Sequence, residues 1–491
     1  MRRLTSLAFA AALLLAGCAA APAAAPAEPA LALQPCRLSE PGAAVRTIAA
    51  ECAALAVPEN PADPAGRAIE LRVVVLPAVS RDAAPDPLVL LAGGPGQAAS
   101  EAFVPVLPFL DPVNQQRDIV LVDQRGTGGS NPLACPLEAE GLDDAASSPD
   151  DPAVQAWWRD CLAQLDADPA LYTTEIAARD LDAVRAALGY EQLNLLGVSY
   201  GTRAALTYLR LFPDRVRSLV LDGVVPPEMA VGAAMARDGQ RALDLTFDAC
   251  AGDPACAEAF PELRAEFDTL LAGLADQPAT VQLDDPFTGE PAEVTLTREL
   301  AAATIFQLSY APETAALIPL LVHSGAAGDL RPLAAQSLLT TRQLADQIAV
   351  GMRSSVICAE DEPRYTAAAP AEGYLGDLLS RSLASACAVW PRGEVSPEFN
   401  APVSSPAPAL LLSGERDPVT PPAYGDAVAA SLPNSLHIVA AGQGHNIFFR
   451  GCVPALVAEF LEAGSPAALD TSCVERLGPS PFFTSFTGPQ P

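Results

Sequence analysis

Lysine is absent from all 491 residues, so the 29 basic side chains are arginines. This excludes the lysine of Schiff-base or PLP enzymes and the lysine that grips phosphates in a P-loop. Against 59 acidic residues the formal net charge is -30, the wrong sign for a phosphate backbone, and no nucleic-acid partner is expected. Histidine is scarce too, at three residues. With no Cys-x-x-Cys pair and no His-Glu-x-x-His in the chain, neither a metal nor another cofactor is expected. Long apolar runs are also missing. The longest near the start, Leu7 to Ala16, falls short of the roughly 20 residues a spanning helix needs. Preceded by Arg2 and Arg3, it reads as an export signal.

The signal ends in Leu15-Ala16-Gly17-Cys18, which resembles a bacterial lipobox and makes Cys18 the candidate lipid anchor. Residues 1–18 are thus read as signal and 19–34 as a Pro/Ala tether. The expected location is outside the cytoplasm of a bacterium, as a periplasmic or outer-membrane-attached lipoprotein. Eleven cysteines less the anchor leave an even set, at 36, 52, 135, 161, 250, 256, 358, 387, 452 and 473. An exported chain would pair them, and their order suggests five local bridges, 36–52, 135–161, 250–256, 358–387 and 452–473.

Half of the residues are hydrophobic, which excludes a disordered chain. Continuous apolar runs recur at IELRVVVLPA, PLVLLAGGPG, RDIVLVDQRG, LNLLGVSYG and VRSLVLDGVVPP. Such runs suit strands buried on both faces, as in a parallel sheet covered by helices. Between two of them, Ile176, Leu181, Val184 and Leu188 recur at helical spacing, with Gly189 placed to stop the helix. From about Pro227 to Asn400 the pattern becomes Ala/Leu-rich and helical, and strand-like runs return at APALLLSGERDPVTPP and SLHIVAAGQGHNIFF. The expected architecture is α/β, with a mainly parallel sheet covered by helices. Its core covers 35–226 and 401–491, and residues 227–400 form a mainly helical cap.

Gly197-Val198-Ser199-Tyr200-Gly201 fits G-x-S-x-G, a strand–turn–helix that lifts a serine oxygen above a sheet. An alkyl hydroxyl is a weak nucleophile and needs a base oriented by a carboxylate. Of the histidines, His437 lies inside a strand-like run and His323 at the end of a cap helix, whereas His445 follows the glycine-rich Gly442-Gln443-Gly444. His445 is therefore the expected base. Glu415 and Asp417 both follow the preceding strand, and Asp417, further into the loop, is preferred as the acid. The order Ser…Asp…His is that of α/β-hydrolases. The amides of Tyr200 and of Gly94, in the Gly93 to Gly96 loop, are the expected oxyanion donors.

GGPGQ (Gly93 to Gln97), DQRGTGGS (Asp123 to Ser130), GVSYGT (Gly197 to Thr202), GERDPVTPP (Gly414 to Pro422) and GQGHNIF (Gly442 to Phe448) stand in one order. The chain thereby resembles the proline iminopeptidase and tripeptidyl aminopeptidase group of serine hydrolases. VICAED (Val356 to Asp361) and CAVWP (Cys387 to Pro391) resemble the C-terminal part of the tripeptidyl aminopeptidase branch. The group's glycine loop often begins with His, where this chain has Ala92; the backbone donors are unaffected. The resemblance implies an exported serine peptidase that releases short peptides from the amino terminus through an acyl-enzyme. It also implies cap acids that hold a free α-ammonium, for which Glu360 and Asp361 are the candidates. A secreted carboxylesterase of the same fold and a catalytically silent binding protein are the alternatives. The substrate would be a small peptide or ester, and no protein partner can be inferred.

Overall fold

The computed structural model describes residues 31–40, 43–135, 151–365 and 373–489. The export signal, Cys18 and most of the tether lie outside them. One sheet of nine strands runs through the molecule. In chain order its strands are β1 (Gln34–Glu40), β2 (Ala43–Pro58), β3 (Ala68–Leu76), β4 (Leu88–Leu91), β5 (Ile119–Val122), β6 (Leu193–Val198) and β7 (Val216–Asp222). After a hairpin outside this sheet, β8 (Ala279–Asp284) with β9 (Pro291–Leu296), come β10 (Ala409–Gly414) and β11 (Ser435–Ala440). The spatial order is β1-β2-β3-β5-β4-β6-β7-β10-β11. From β5 to β11 every pairing is parallel, and β1, β2 and β3 add an antiparallel flank.

Every residue of β5, β6 and β10 is buried, as continuous apolar runs require when helices cover both faces. The helix Thr174–Leu188 turns Ala178, Leu181 and Val184 to the sheet and ends at Gly189 with φ 80°, a left-handed cap that glycine adopts without a Cβ penalty. Burying side chains the size of Leu181 and Val184 stabilises by about 1.5–3 kcal/mol each. Two features depart from the expectation. In the flank β1–β2, β2 reads AAVRTIAAECAALAVP, whose alanines carry little strand preference, and the pairing is closed by the Cys36–Cys52 bridge. The segment between β7 and β10 is mostly helical but contains the β8–β9 hairpin, where Val281 and Val294 turn into the hydrophobic cluster of the surrounding helices. The ten described cysteines form five disulfides, with the five pairings expected from their order.

Candidate active site

Ser199 stands between the end of β6 and the helix Tyr200–Leu211. Its φ of 56° is rare for a residue with a side chain, and the surrounding packing explains how the turn is held. A Cβ on Gly197 would come 2.4 Å from the carbonyl oxygen of Gly201, and one on Gly201 would come 2.1 Å from that of Leu91. Both flanking residues of the motif must therefore be glycine for strand, turn and helix to approach this closely. Ser199 itself is partly exposed at the tip.

The Gly93–Gly96 loop passes beside it. A Cβ on Gly93 would lie 3.1 Å from the Cβ of Ser199, and Gly94 has φ 106° before a cis bond to Pro95. Tyr200 opens a helix, so its backbone N–H belongs to the set that has no partner within the helix. The DQRGTGGS segment braces the same region. Asp123 accepts from the amides of Ser100 and Gly129 and from the Ser100 hydroxyl, at 2.8–3.0 Å. Arg125 forks onto both oxygens of Asp180 at 2.6 and 2.8 Å, tying the segment to the helix Thr174–Leu188.

Of the three histidines, His445 meets Asp417, in the loop that follows β10. Its Nδ1 lies 2.7 Å from Asp417 Oδ2. Asp417 Oδ1 accepts from the amides of Val419 and Thr420 at 2.8 Å, and Oδ2 also takes the Thr420 hydroxyl at 2.7 Å. Burial pushes the Asp417 carboxyl up, but the His445 charge and these hydrogen bonds outweigh it and hold the group below its ordinary range. For His445, burial pulls the proton affinity down, and the charge and hydrogen bond of Asp417, with the charge of Asp222, raise it overall. Tyr310 packs edge-on against the imidazole, 5.3 Å between centroids. Glu415, the other carboxylate after β10, accepts the Gly442 amide at 2.8 Å and so holds the loop that leads to His445. His437 bonds Asp426 and Ser413, and His323 bonds Glu266.

Sequence reasoning missed two groups at the site. Thr420, inside GERDPVTPP, bonds Asp417 and lies 3.1 Å from His445 Nδ1, and Asp222 acts on His445 by its charge. For Asp222 the available hint was an aspartate closing the apolar run VRSLVLD, since a charge there must be buried by the strand that carries it.

Glu360 and Asp361, the candidates for holding a substrate amine, are 1% and 0% exposed. Glu360 accepts from the Thr174 amide and hydroxyl at 2.7 and 2.8 Å, and that hydroxyl also meets the Tyr200 phenol at 2.6 Å. Asp361 binds the buried Arg203 through both oxygens at 2.9 and 3.1 Å, and also Arg364 and the Val231 amide. Every carboxylate oxygen of the pair is taken up by the protein. Burial pushes the Glu360 carboxyl up to about 7 against the charge of Arg203. Removing one partner of a buried pair strands the other, so Asp361→Asn should cost about 3–5 kcal/mol in denaturant unfolding and depress all substrates together. Glu360→Gln should leave the ratio of peptide to ester turnover unchanged; a selective loss of peptide activity would restore the amine-binding role.

The chain has the α/β-hydrolase fold and is a serine hydrolase, and it is similar to proteins of the proline iminopeptidase and tripeptidyl aminopeptidase group. A family model for the alpha/beta hydrolase fold matches residues 86–247, and one for a TAP-like protein matches residues 372–473. Serine protease Hip1 of Mycobacterium tuberculosis is 28% identical over 486 residues, covering 89% of this chain and 90% of that protein. The tripeptidyl aminopeptidase of Streptomyces lividans is 34% identical over 191 residues, 36% of each chain. A probable proline iminopeptidase of Streptomyces coelicolor is 33% identical over 151 residues, 31% of this chain and 36% of that one.

Proposed function

We propose an exported serine peptidase that releases short peptides from the amino terminus of its substrates through an acyl-enzyme on Ser199. The observation that carries the reading is the pairing of His445 with Asp417 beyond the sheet edge that presents Ser199. Ser199 Oγ attacks the scissile carbonyl carbon while His445 Nε2 takes its proton. Asp417, bound to Nδ1–H, keeps Nε2 free to accept and faces the imidazolium that forms. The Tyr200 and Gly94 amides receive the carbonyl oxygen as it becomes negative. The C–N bond breaks as the imidazolium gives its proton to the leaving amine. Water, deprotonated by the same histidine, then splits the ester and restores Ser199.

The names of the relatives support a peptidase acting at amino termini, and the five disulfides support export. In this reading Cys18 anchors the protein to a membrane, with residues 19–34 as tether, 35–226 and 401–491 as catalytic core and 227–400 as cap. A secreted carboxylesterase is the second reading, favoured by the occupation of Glu360 and Asp361 by internal partners. A free-amine peptide anilide, its N-acetylated counterpart and a short acyl ester separate the two. The aminopeptidase should turn over the free amine with at least tenfold preference over the acetylated form, about the worth of one charge-assisted contact. Equal rates on both anilides, with faster ester cleavage, would establish the esterase.

A further inference from the structure

Asp222, which the reaction described above does not use, stands beside the histidine. It ends β7, opposite Val198 in the register with β6, and is fully buried. Its main-chain carbonyl accepts the Ser199 N–H at 2.8 Å. Its Oδ2 accepts the N–H groups of Ile447 and Phe448 at 2.7 Å each, while its Oδ1 is buried without a hydrogen-bond partner. The next residue, Gly223, lies against the imidazole, where a Cβ would come 2.8 Å from His445 Cε1. Two side-chain-bearing residues with positive φ flank these contacts, Ser199 at 56° and Asn446 at 69°. Such conformations persist only when neighbours over-determine them. Here one residue fixes both, by its backbone on the serine side and its carboxylate on the histidine side.

We propose that Asp222 is a positioning residue that locks Ser199 and the His445 loop into one geometry and presents a second negative charge to the imidazole. It touches neither substrate nor reacting atoms. A buried carboxyl kept beside an imidazole with one oxygen unpaired costs stability, and an asparagine or serine could satisfy the loop amides without that cost. The charge therefore has a use in the reaction, which is to favour the imidazolium formed when Ser199 gives up its proton. The charged groups facing Asp222 are His445 and Asp417. Burial pushes the Asp222 carboxyl up to about 7, opposed by the Phe448 amide, the His445 charge and the Ile447 amide. Its ionisation and the protonation of His445 are consequently coupled.

The inference rests on Ser199 as nucleophile and His445 as base. That premise is tested separately by fluorophosphonate labelling of the wild-type protein at Ser199. Asp222→Asn keeps an oxygen for the two loop amides and removes the charge. On an acyl ester it should lower kcat by roughly ten- to a hundredfold with KM nearly unchanged, the cost of a slightly misplaced proton transfer. The acidic limb of its kcat/KM profile should move to lower pH, because a charge that helps hold the proton on His445 is gone. Asp222→Glu, which restores the charge, should return the limb toward its wild-type position. A kcat loss in Asp222→Asn with an unmoved limb would reduce Asp222 to a structural pin and overturn the proposal, as would wild-type kinetics. Should the variants not accumulate, the wild-type protein gives the same answer through ¹⁵N-histidine NMR. The His445 ring nitrogens should report a second, carboxylate-linked step besides their own, and a single step would overturn the coupling.

Discussion

Ser199→Ala will give a folded protein that no longer reacts with a fluorophosphonate and whose turnover of any peptide or ester falls by up to about a millionfold. The expectation of an intact fold follows from the local structure. Ser199 sits partly exposed at the tip of its turn, and the contacts that hold the turn belong to the backbone, with its N–H on the Asp222 carbonyl and its carbonyl accepting from the Thr202 amide and hydroxyl. Alanine keeps all of these. It also adds no strain to a φ of 56° beyond what serine already bears. The loss of rate follows from the chemistry, since alanine leaves the elbow without the hydroxyl that His445 would activate. Some acceleration over water should survive, because the Tyr200 and Gly94 amides would still polarise a bound carbonyl. Intact mass after labelling is the direct check. An adduct that persists in the alanine variant would place the nucleophile elsewhere.

The parts of this site that were legible in the sequence are those where geometry permits one residue type. Gly197 and Gly201 are fixed by backbones approaching to within 2.4 Å and 2.1 Å of where a Cβ would sit, so the motif around Ser199 is a steric necessity that the sequence must display. His445 was legible through scarcity, with only three histidines to choose from. Asp417 was separable from Glu415 only by its place in the loop, and the structure gives the physical difference: Glu415 holds the Gly442 amide while Asp417 reaches the ring. The strands of the parallel sheet were legible because burial on both faces leaves continuous apolar runs. The β1–β2 flank was not, since alanine suits helix, strand and tether alike, so even its local hairpin pairing left no pattern in the sequence. The fate of Glu360 and Asp361 was hidden for a different reason. Their partner Arg203 lies on the helix after Ser199, more than 150 residues away in the chain, and an acid pair in sequence carries no sign of whether an arginine will meet it. Asp222 lies between these cases, a charge at the end of an apolar run, legible as buried but not in what it holds.

Asp417→Asn should lower kcat by roughly ten-thousandfold while leaving the fold nearly intact. The two oxygens of Asp417 do different work. Oδ1 accepts two amide N–H groups, from Val419 and Thr420, and Oδ2 faces His445 Nδ1 and the Thr420 hydroxyl. An asparagine must turn its carbonyl to the two amides, because its NH₂ cannot accept from them. The NH₂ then takes the Oδ2 position and points at Nδ1. Nδ1 must become the acceptor, the ring proton moves to Nε2, and Nε2 can no longer take the proton of Ser199. The variant thus holds the imidazole in place in the wrong tautomer. Charge acts in the same direction. Asp417 is the larger source of the raised proton affinity of His445, so its loss leaves burial to lower that affinity, and the imidazolium formed during attack has no counter-ion on its Nδ1 side. Residual activity should therefore show an acidic limb displaced to lower pH and should grow toward high pH, where hydroxide can replace the missing base. In NMR the Nδ1–H resonance of His445 should vanish while those of His323 and His437 remain. Retention of that resonance together with near-normal turnover would transfer the orienting role to another carboxylate, for which Asp222, the other buried acid acting on this ring, is the nearest candidate.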